Sequence, residues 1–186
     1  MTGTRLRILG IIGSLREGSY NAGLLQAAAE LAPADVAVEL APSIEMPLFS
    51  PEREQAGWPP AVASLRDAVQ AADAVIVATP EYNYSMPGGL KNAFDWLSRP
   101  EGKNPTRNKP VAVIGASTSL TGTARAQAHL RQVAYYNAMH IFSGAEILVP
   151  RAQERFDSQG RLTDGATRER VASFMRAFAD FARRFS

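Results

Sequence analysis

Between Ala74 and Trp96 the chain reads AVIVATPEYNYSMPGGLKNAFDW, and no other stretch constrains the fold as strongly. Ala74 to Ala78 is an unbroken apolar run containing Val and Ile, the pattern of a short strand buried on both faces of a parallel sheet. Thr79-Pro80 ends it. Two tyrosines, an Asn and a Glu are then compressed between Pro80 and Pro87. Gly88-Gly89 opens an amphipathic helix, with Leu90, Ala93, Phe94 and Leu97 at i, i+3, i+4 and i+7. In open α/β sheets, ligands sit outside the carboxyl ends of the strands. A loop of this composition offers a flat ring system both backbone groups and aromatic neighbours; its bland alternative is a tight turn whose tyrosines pack on the core.

The rest of the chain repeats the alternation. Arg7 to Gly13 reads as a first strand, followed by a Ser- and Gly-containing loop and an Ala- and Leu-rich helix to about Ala32. Val36 to Leu40 is a second strand. Ala41 to Pro60 is irregular, with prolines at 42, 47, 51, 59 and 60, and its Met46, Leu48, Phe49 and Trp58 need cover, from this domain or from another subunit. Ala61 to Ala71 is a helix. Arg99 to Lys109 reads as a solvated polar loop. Pro110 to Ala116 is a fourth strand ending in Ser117-Thr-Ser-Leu-Thr-Gly122, and a helix runs through Arg125, Gln127, Leu130 and Val133. Ile141 to Val149 contains a fifth strand, interrupted at Ser143-Gly144. Asp164 to Phe185 is a last helix, whose Val171, Phe174, Phe178, Phe181 and Phe185 form a stripe for core packing. His129 and His140 lack a ligand-spaced partner and read as structural, and no metal site is readable.

The loop after the first strand, Gly13-Ser-Leu-Arg-Glu-Gly-Ser-Tyr-Asn21, has the general design of a phosphate site, because unpaired N–H groups at a helix start favour an anion. The dinucleotide fingerprint fails on spacing, since Gly10, Gly13 and Gly18 do not form Gly-x-Gly-x-x-Gly. The nucleotide-triphosphatase P-loop fails because Ser19 stands where that motif requires Lys. A site for one terminal phosphate remains, with Ser14, Arg16, Ser19 and Asn21 as donors; the alternative is a simple helix cap beside a solvated Arg.

Composition narrows the chemistry. At 186 residues the chain suits one domain with a full core. Lys and Arg exceed Asp and Glu by only 20 to 18, which gives no support for nucleic-acid binding. The absence of cysteine excludes disulfides, thiolate catalysis, cysteine-ligated zinc and iron-sulfur clusters, so any redox chemistry must come from a cofactor. The apolar run at Ile8 to Gly13 is too short for a signal-peptide core, and no stretch approaches a membrane span. A cytoplasmic location is expected.

Five strands alternating with helices imply a doubly wound parallel sheet. A phosphate loop after strand one and an aromatic loop after strand three imply the flavodoxin-like plan, strand order 2-1-3-4-5, with FMN between those loops. At these residues the sequence resembles the NADPH-dependent FMN reductase family, which includes quinone reductases, azoreductases and chromate-reducing enzymes. The resemblance rests on Gly13-Ser-Leu-Arg-x-Gly-Ser-x-Asn21, on Thr79-Pro-Glu-Tyr-Asn-Tyr-Ser-x-Pro-Gly-Gly-Leu-Lys-Asn-Ala-Phe-Asp-Trp96, and on Arg125-Ala-Gln-x-x-Leu-Arg131.

The resemblance implies one FMN-binding domain over residues 1–186. Ser14, Arg16, Ser19, Tyr20 and Asn21 would hold the FMN phosphate. Pro80, Glu81, Tyr82, Asn83 and Tyr84 would line the isoalloxazine through backbone N–H groups and the Asn83 side chain, and Ser117 would meet the ring's far side. No catalytic side chain is implied, because the chemistry belongs to the flavin. Hydride would pass from NADPH or NADH through FMN to a quinone, an azo compound, chromate or free flavin. A contact between the Arg99 to Lys109 loop and the NADPH phosphates is the alternative to its solvated reading. The family's loop after the fourth strand is usually richer in glycine, whereas Ser119, Leu120 and Thr121 occupy it here, so Leu120 and Thr121 are expected to narrow the pocket. The resemblance also suggests a homodimer or homotetramer, covering the apolar residues of 46–58 and the Trp96-Leu97 helix end, with Arg125 and Glu146 pairing across the interface. A flavodoxin-type FMN electron carrier, which needs no pyridine-nucleotide site, is the alternative of a different class.

Overall fold

The computed structural model describes residues 5–185. Four strands, β1 (Leu6–Ile12), β2 (Val36–Leu40), β3 (Ala74–Ala78) and β4 (Pro110–Ala116), pair in parallel in the order β2-β1-β3-β4. The far edge of β4 takes two short pieces, β5 (His140–Ile141) and β6 (Ile147–Val149), both parallel to it. The expected order 2-1-3-4-5 is present, and the interruption expected at Ser143-Gly144 is a full break that divides the fifth strand in two. Val111 pairs with Ile141 and Ile114 with Ile147, so the residues from Phe142 to Glu146 stand opposite only Ala112 and Val113. Phe142 is the reason. Its ring turns into the aromatic side chains of the last helix, with centroids 5.4 Å from Phe174 and 5.4 Å from Phe181.

The helices are α1 (Tyr20–Glu30), α2 (Pro51–Ala56), α3 (Pro60–Ala71), α4 (Gly88–Leu97), α5 (Ala124–Tyr136) and α6 (Gly165–Ala182). Strand periodicity sorts the sheet into two cores. Ile8, Ile76 and Ile114 face α1 and α6, while Leu9, Val75, Val77 and Val113 face α3, α4 and α5. Every residue of β3 is buried, as its central place requires. Each buried Val or Ile there contributes about 1.5–3 kcal/mol.

The segment expected to be irregular from 41 to 60 contains α2, started by Pro51 and by the Ser50 hydroxyl, which accepts from the Arg53 N–H at 3.3 Å. Trp96 and Leu97 are fully buried within this chain, so they need no second subunit. Phe49 and Trp58 pack on the Trp96 ring at 5.1 and 5.9 Å. The Asn92 side chain accepts from the Phe49 N–H (2.8 Å), and Trp96 Nε1 donates to the Pro47 carbonyl (2.7 Å). Phe185 lies beyond the end of α6 and stacks on His140 at 3.9 Å, in keeping with a structural role for that histidine.

Candidate active site

Three loops leave the carboxyl ends of β1, β3 and β4 and surround one opening. In the first, the Gly13 N–H extends the ladder to the Ala78 carbonyl (2.8 Å), after which the chain leaves the sheet. Ser19 caps α1, its hydroxyl accepting from the Asn21 N–H at 3.3 Å. From Ser14 to Tyr20 the only backbone N–H with an acceptor among the described residues is that of Arg16, which donates to the Ser14 hydroxyl (3.2 Å). The N–H groups of 14, 15, 17, 18, 19 and 20 are therefore available at the positive end of a helix. Gly18 supplies the left-handed turn this needs, at φ 64°. The Arg16 guanidinium makes no ion pair among the described residues; it donates to the Gly18 carbonyl (3.4 Å) and lies 5.5 Å from the Tyr20 ring. Tyr20 is itself held against Phe156 at 5.2 Å.

Asn21 is the exception in this loop. Only 2% exposed, its amide turns beneath the loop, donating to the Ala116 carbonyl and accepting from the Ala116 N–H, both at 2.9 Å. The structure thus brings Ser14, Arg16, Ser19 and Tyr20 together around the open donors and commits the Asn21 side chain to the sheet.

The second loop is a hairpin. Tyr82 and Ser85 exchange both backbone hydrogen bonds at 2.9 Å, with Asn83 (φ 50°) and Tyr84 (φ 66°) both left-handed at the turn. That is a type I′ turn without glycine, and the left-handed conformation costs an L-residue about 1–2 kcal/mol. The N–H groups of Glu81, Asn83 and Tyr84 have no acceptor among the described residues. Tyr82, Asn83 and Tyr84 are exposed, whereas Pro80 is buried. The Glu81 carboxylate points away from the opening: Oε2 accepts from the backbone N–H groups of Arg125 (3.0 Å) and Ala126 (3.3 Å), and Oε1 lies 2.5 Å from Arg125 Nη2. Glu81 thereby caps α5, whose own Thr123 provides no side-chain cap.

In the third loop, the Ser117 hydroxyl donates to the Ser119 hydroxyl (3.2 Å), and that of Ser119 reaches both Thr121 (3.3 Å) and the Gly122 carbonyl (3.1 Å). These links hold Leu120, 73% exposed, at the rim. Beneath the opening the strands are spaced by Gly115, where a Cβ would collide with the Thr123 hydroxyl and the Thr79 carbonyl. Buried Gln127 donates to Thr123 Oγ1 and to the Ile147 carbonyl, both at 3.0 Å. No buried side-chain polar atom among the described residues lacks a partner.

Sequence reasoning missed what Arg125 does. Within its own chain it pairs with Glu81, a contact the sequence reading did not foresee, while Glu146 pairs with Arg131 at 3.3 Å. The available signal was the place of Arg125 at the start of a helix, opposite an acidic residue in the loop before the preceding helix. The Ser85 hydroxyl also meets His129 Nδ1 at 2.8 Å, so one face of α5 holds the hairpin at two points.

Known proteins resemble this chain over nearly its whole length. The chain is 46% identical over 179 residues to an NAD(P)H-dependent FMN reductase of Pseudomonas aeruginosa, covering 96% of each. It is 37% identical over 184 residues to a quinone reductase of Escherichia coli, covering 97% of each. Among solved structures, the flavoenzyme NAD(P)H:(acceptor) oxidoreductase of Paracoccus denitrificans superposes with a TM-score of 0.88 at 34% identity, over 97% of this chain and 98% of that one. With the family profile also matching residues 6–154, from β1 through the turn after β6, the chain belongs to the NADPH-dependent FMN reductase family.

Proposed function

We propose that this chain is an FMN-dependent NAD(P)H oxidoreductase that delivers electrons to small-molecule acceptors: quinones, azo compounds, chromate or free flavin. The observation that carries the reading is the pairing of two donor sets at one opening, the free N–H groups of 14–20 at the start of α1 and those of Glu81, Asn83 and Tyr84 on a strained hairpin. FMN has a phosphate for the first and a polar ring edge for the second, so the residues present fit it. When bound, FMN supplies hydride acceptance from a nicotinamide and two-electron delivery to an acceptor.

The protein's part is position and electrostatics. The backbone donors with Ser14 and Ser19 would hold the phosphate and Arg16 would add a cation, while Tyr20 braces the loop on Phe156 and Asn21 acts from beneath through Ala116. Pro80, Tyr82, Asn83 and Tyr84 would flank the ring, the Glu81 N–H would be available to its polar edge, and Ser117 would stand on the far side. Donor and acceptor must each bring a reacting atom to the same flavin position, so they would take turns beside the hairpin and the loop carrying Leu120. A non-enzymatic electron carrier is not favoured, because the curated relatives carry the names of NAD(P)H-dependent reductases.

The same proposal includes a single domain acting in the cytoplasm, the compartment that maintains reduced pyridine nucleotides, without nucleic acid or membrane as partner. Among the described residues no helix is long and apolar enough to cross a membrane. We include a homodimer or homotetramer, supported by a groove of about 790 Å³ between α4 and α5, lined by Phe49, Met86, Phe94, Val133 and Tyr136, with Tyr135 and Leu48 exposed nearby. Light scattering that gives a monomer mass removes the assembly.

The activity is tested by adding NADPH anaerobically to the FMN-loaded protein and following the visible flavin absorbance, then varying NADPH against benzoquinone. Bleaching and parallel double-reciprocal lines are expected. Flavin that stays oxidised overturns the oxidoreductase reading, and intersecting lines overturn the alternation at one site.

A further inference from the structure

Just past the carboxyl end of β6 the chain turns through Arg151, whose φ of 48° is left-handed. That conformation is strained for an L-residue and not for glycine, so a side chain that merely points into water would leave glycine the better residue here. Strain of this kind persists where the side chain has a use. The Arg151 N–H donates to the Ser119 carbonyl (3.2 Å) and the Ala152 N–H to the Ser117 carbonyl (3.0 Å), which sets residue 151 beside the third loop of the opening. Five residues on, Phe156 packs against Tyr20 at the end of the first loop. The segment from 151 to 156 therefore joins two of the three loops. Arg155 is paired with Asp164, but the exposed Arg151 guanidinium has neither an acceptor nor an ion pair among the described residues.

Leu120 is its apolar neighbour, one residue beyond the carbonyl that receives the Arg151 N–H. It is exposed, and its loop is pinned on both sides. The Ser119 hydroxyl bonds the Gly122 carbonyl, and Gly122, at φ 61°, lies so close to β6 that an added Cβ would come 3.2 Å from Leu148 Cβ. A fixed loop thus offers a Leu side chain to water, and the adjoining position offers an unpaired cation. Ribose and phosphate make no use of a Leu. A planar ring with an acidic substituent uses both, through apolar contact and a charge-assisted hydrogen bond.

We propose that Leu120 and Arg151 form an acceptor-selecting rim, which favours aromatic acceptors bearing a carboxylate or sulfonate over neutral ones. The proposal rests on the FMN-dependent oxidoreductase reading above and narrows its acceptor class. A quinone bound there gains a hydride and one proton from water and leaves as the hydroquinone, NADPH being oxidised to NADP⁺; the acidic substituent takes no part in the bond changes.

The test compares 1,2-naphthoquinone with its 4-sulfonate on FMN-loaded wild type, Arg151→Gln, Arg151→Lys, Arg151→Gly and Leu120→Ala. The readout is the ratio of kcat/KM for the sulfonate to that for the parent quinone, so the intrinsic reactivities cancel between proteins. Arg151→Gln and Arg151→Gly should lower this ratio about tenfold, the low end for a charge-assisted bond because the rim is open to water. Added salt should lower it in wild type and not in these two variants. Arg151→Lys should keep most of it. Leu120→Ala should lower kcat/KM for both quinones by roughly 3- to 10-fold and leave their ratio as it was. Arg151→Gly should also melt about 2–4 °C above wild type, since glycine accepts the left-handed turn. An unaltered ratio in Arg151→Gln overturns the proposal, as does a loss found instead in the rate of anaerobic flavin reduction by NADPH, which would put the guanidinium on the nucleotide. If NADPH does not reduce the flavin of the wild type, the oxidoreductase reading fails and this one with it; normal reduction and quinone turnover with one ratio across all variants removes the role of the rim alone.

Discussion

Asn21→Ala separates holding the site from binding the ligand. Pairing of β3 with β4 ends at Ala78 and Ile114, followed by one more bond from the Thr79 N–H to the Ile114 carbonyl at 3.0 Å. Two residues further on, Ala116 needs a donor and an acceptor that β3 no longer provides. The Asn21 amide supplies both at 2.9 Å, and in doing so leaves the Glu81 N–H free at the opening. Truncation to Ala strands a buried N–H and a buried C=O. At about 1–3 kcal/mol each the penalty is about 2–6 kcal/mol, and a water entering the space brings it toward the lower half. Against a total of about 5–15 kcal/mol this is a large share. Urea denaturation of the apoprotein should show a midpoint shift of that size with an unchanged slope. FMN and riboflavin should weaken together, because the loops carrying Ser14 and Ser117 lose their common anchor. A stability loss under about 1 kcal/mol combined with weaker FMN but unaltered riboflavin binding would refute the reasoning and put the amide on the phosphate.

Arg16→Ala should do the reverse, removing one charge-assisted donor worth about 1.5–3 kcal/mol and weakening FMN by roughly 10- to 150-fold while sparing riboflavin and the apoprotein midpoint. Calorimetric titration of both flavins checks it, and equal losses would contradict the phosphate assignment. Acid stability should depend on Asp164, which caps α6: the Thr167 hydroxyl and N–H donate into its carboxylate and Arg155 stands beside it, lowering its pKa from 3.8 to about 2. A depressed folded-state pKa means that this contribution is complete above the unfolded value and is lost as pH falls from about 4 through about 2. Asp164→Asn should flatten that limb of the stability profile, and an unchanged limb in pH-dependent unfolding would show that the cap carries no linkage.

The parts of the fold legible in the sequence are those where one-dimensional pattern and three-dimensional burial coincide. The run at Ala74–Ala78 is apolar at every position because both sheet faces are covered, and Val36–Leu40 and Pro110–Ala116 likewise begin and end where their patterns do. The break in the fifth strand was legible at Ser143-Gly144, but what accompanies it was not: the docking of Phe142 among Phe174, Phe178 and Phe181 is a contact across more than thirty residues. The cover of Trp96 was hidden for the same reason: its indole N–H and the Asn92 amide meet carbonyls and amides of a loop some 45 residues earlier. Composition shows that such groups need partners but not which chain supplies them.

Side-chain direction was the other unreadable quantity, and it divides the motifs into two kinds of residue. Asn21 and Glu81 look like ligand groups by polarity and position, yet each carries its side chain inward to hold a loop, Asn21 on Ala116 and Glu81 on the start of α5, as Asn92 of α4 does on Met46 to Phe49. The cost of burying a polar group is met in each case by two or more hydrogen bonds, so these positions tolerate change poorly. What such holding leaves at the opening is mostly backbone N–H, which no substitution short of proline removes. Tyr82, Tyr84 and Leu120 stand exposed around those donors and bear little of the fold's stability. A scaffold arranged this way can keep its backbone donors while its rim side chains vary, so under the FMN reading the choice of electron acceptor would fall to the rim and the holding of the flavin to the loops beneath it.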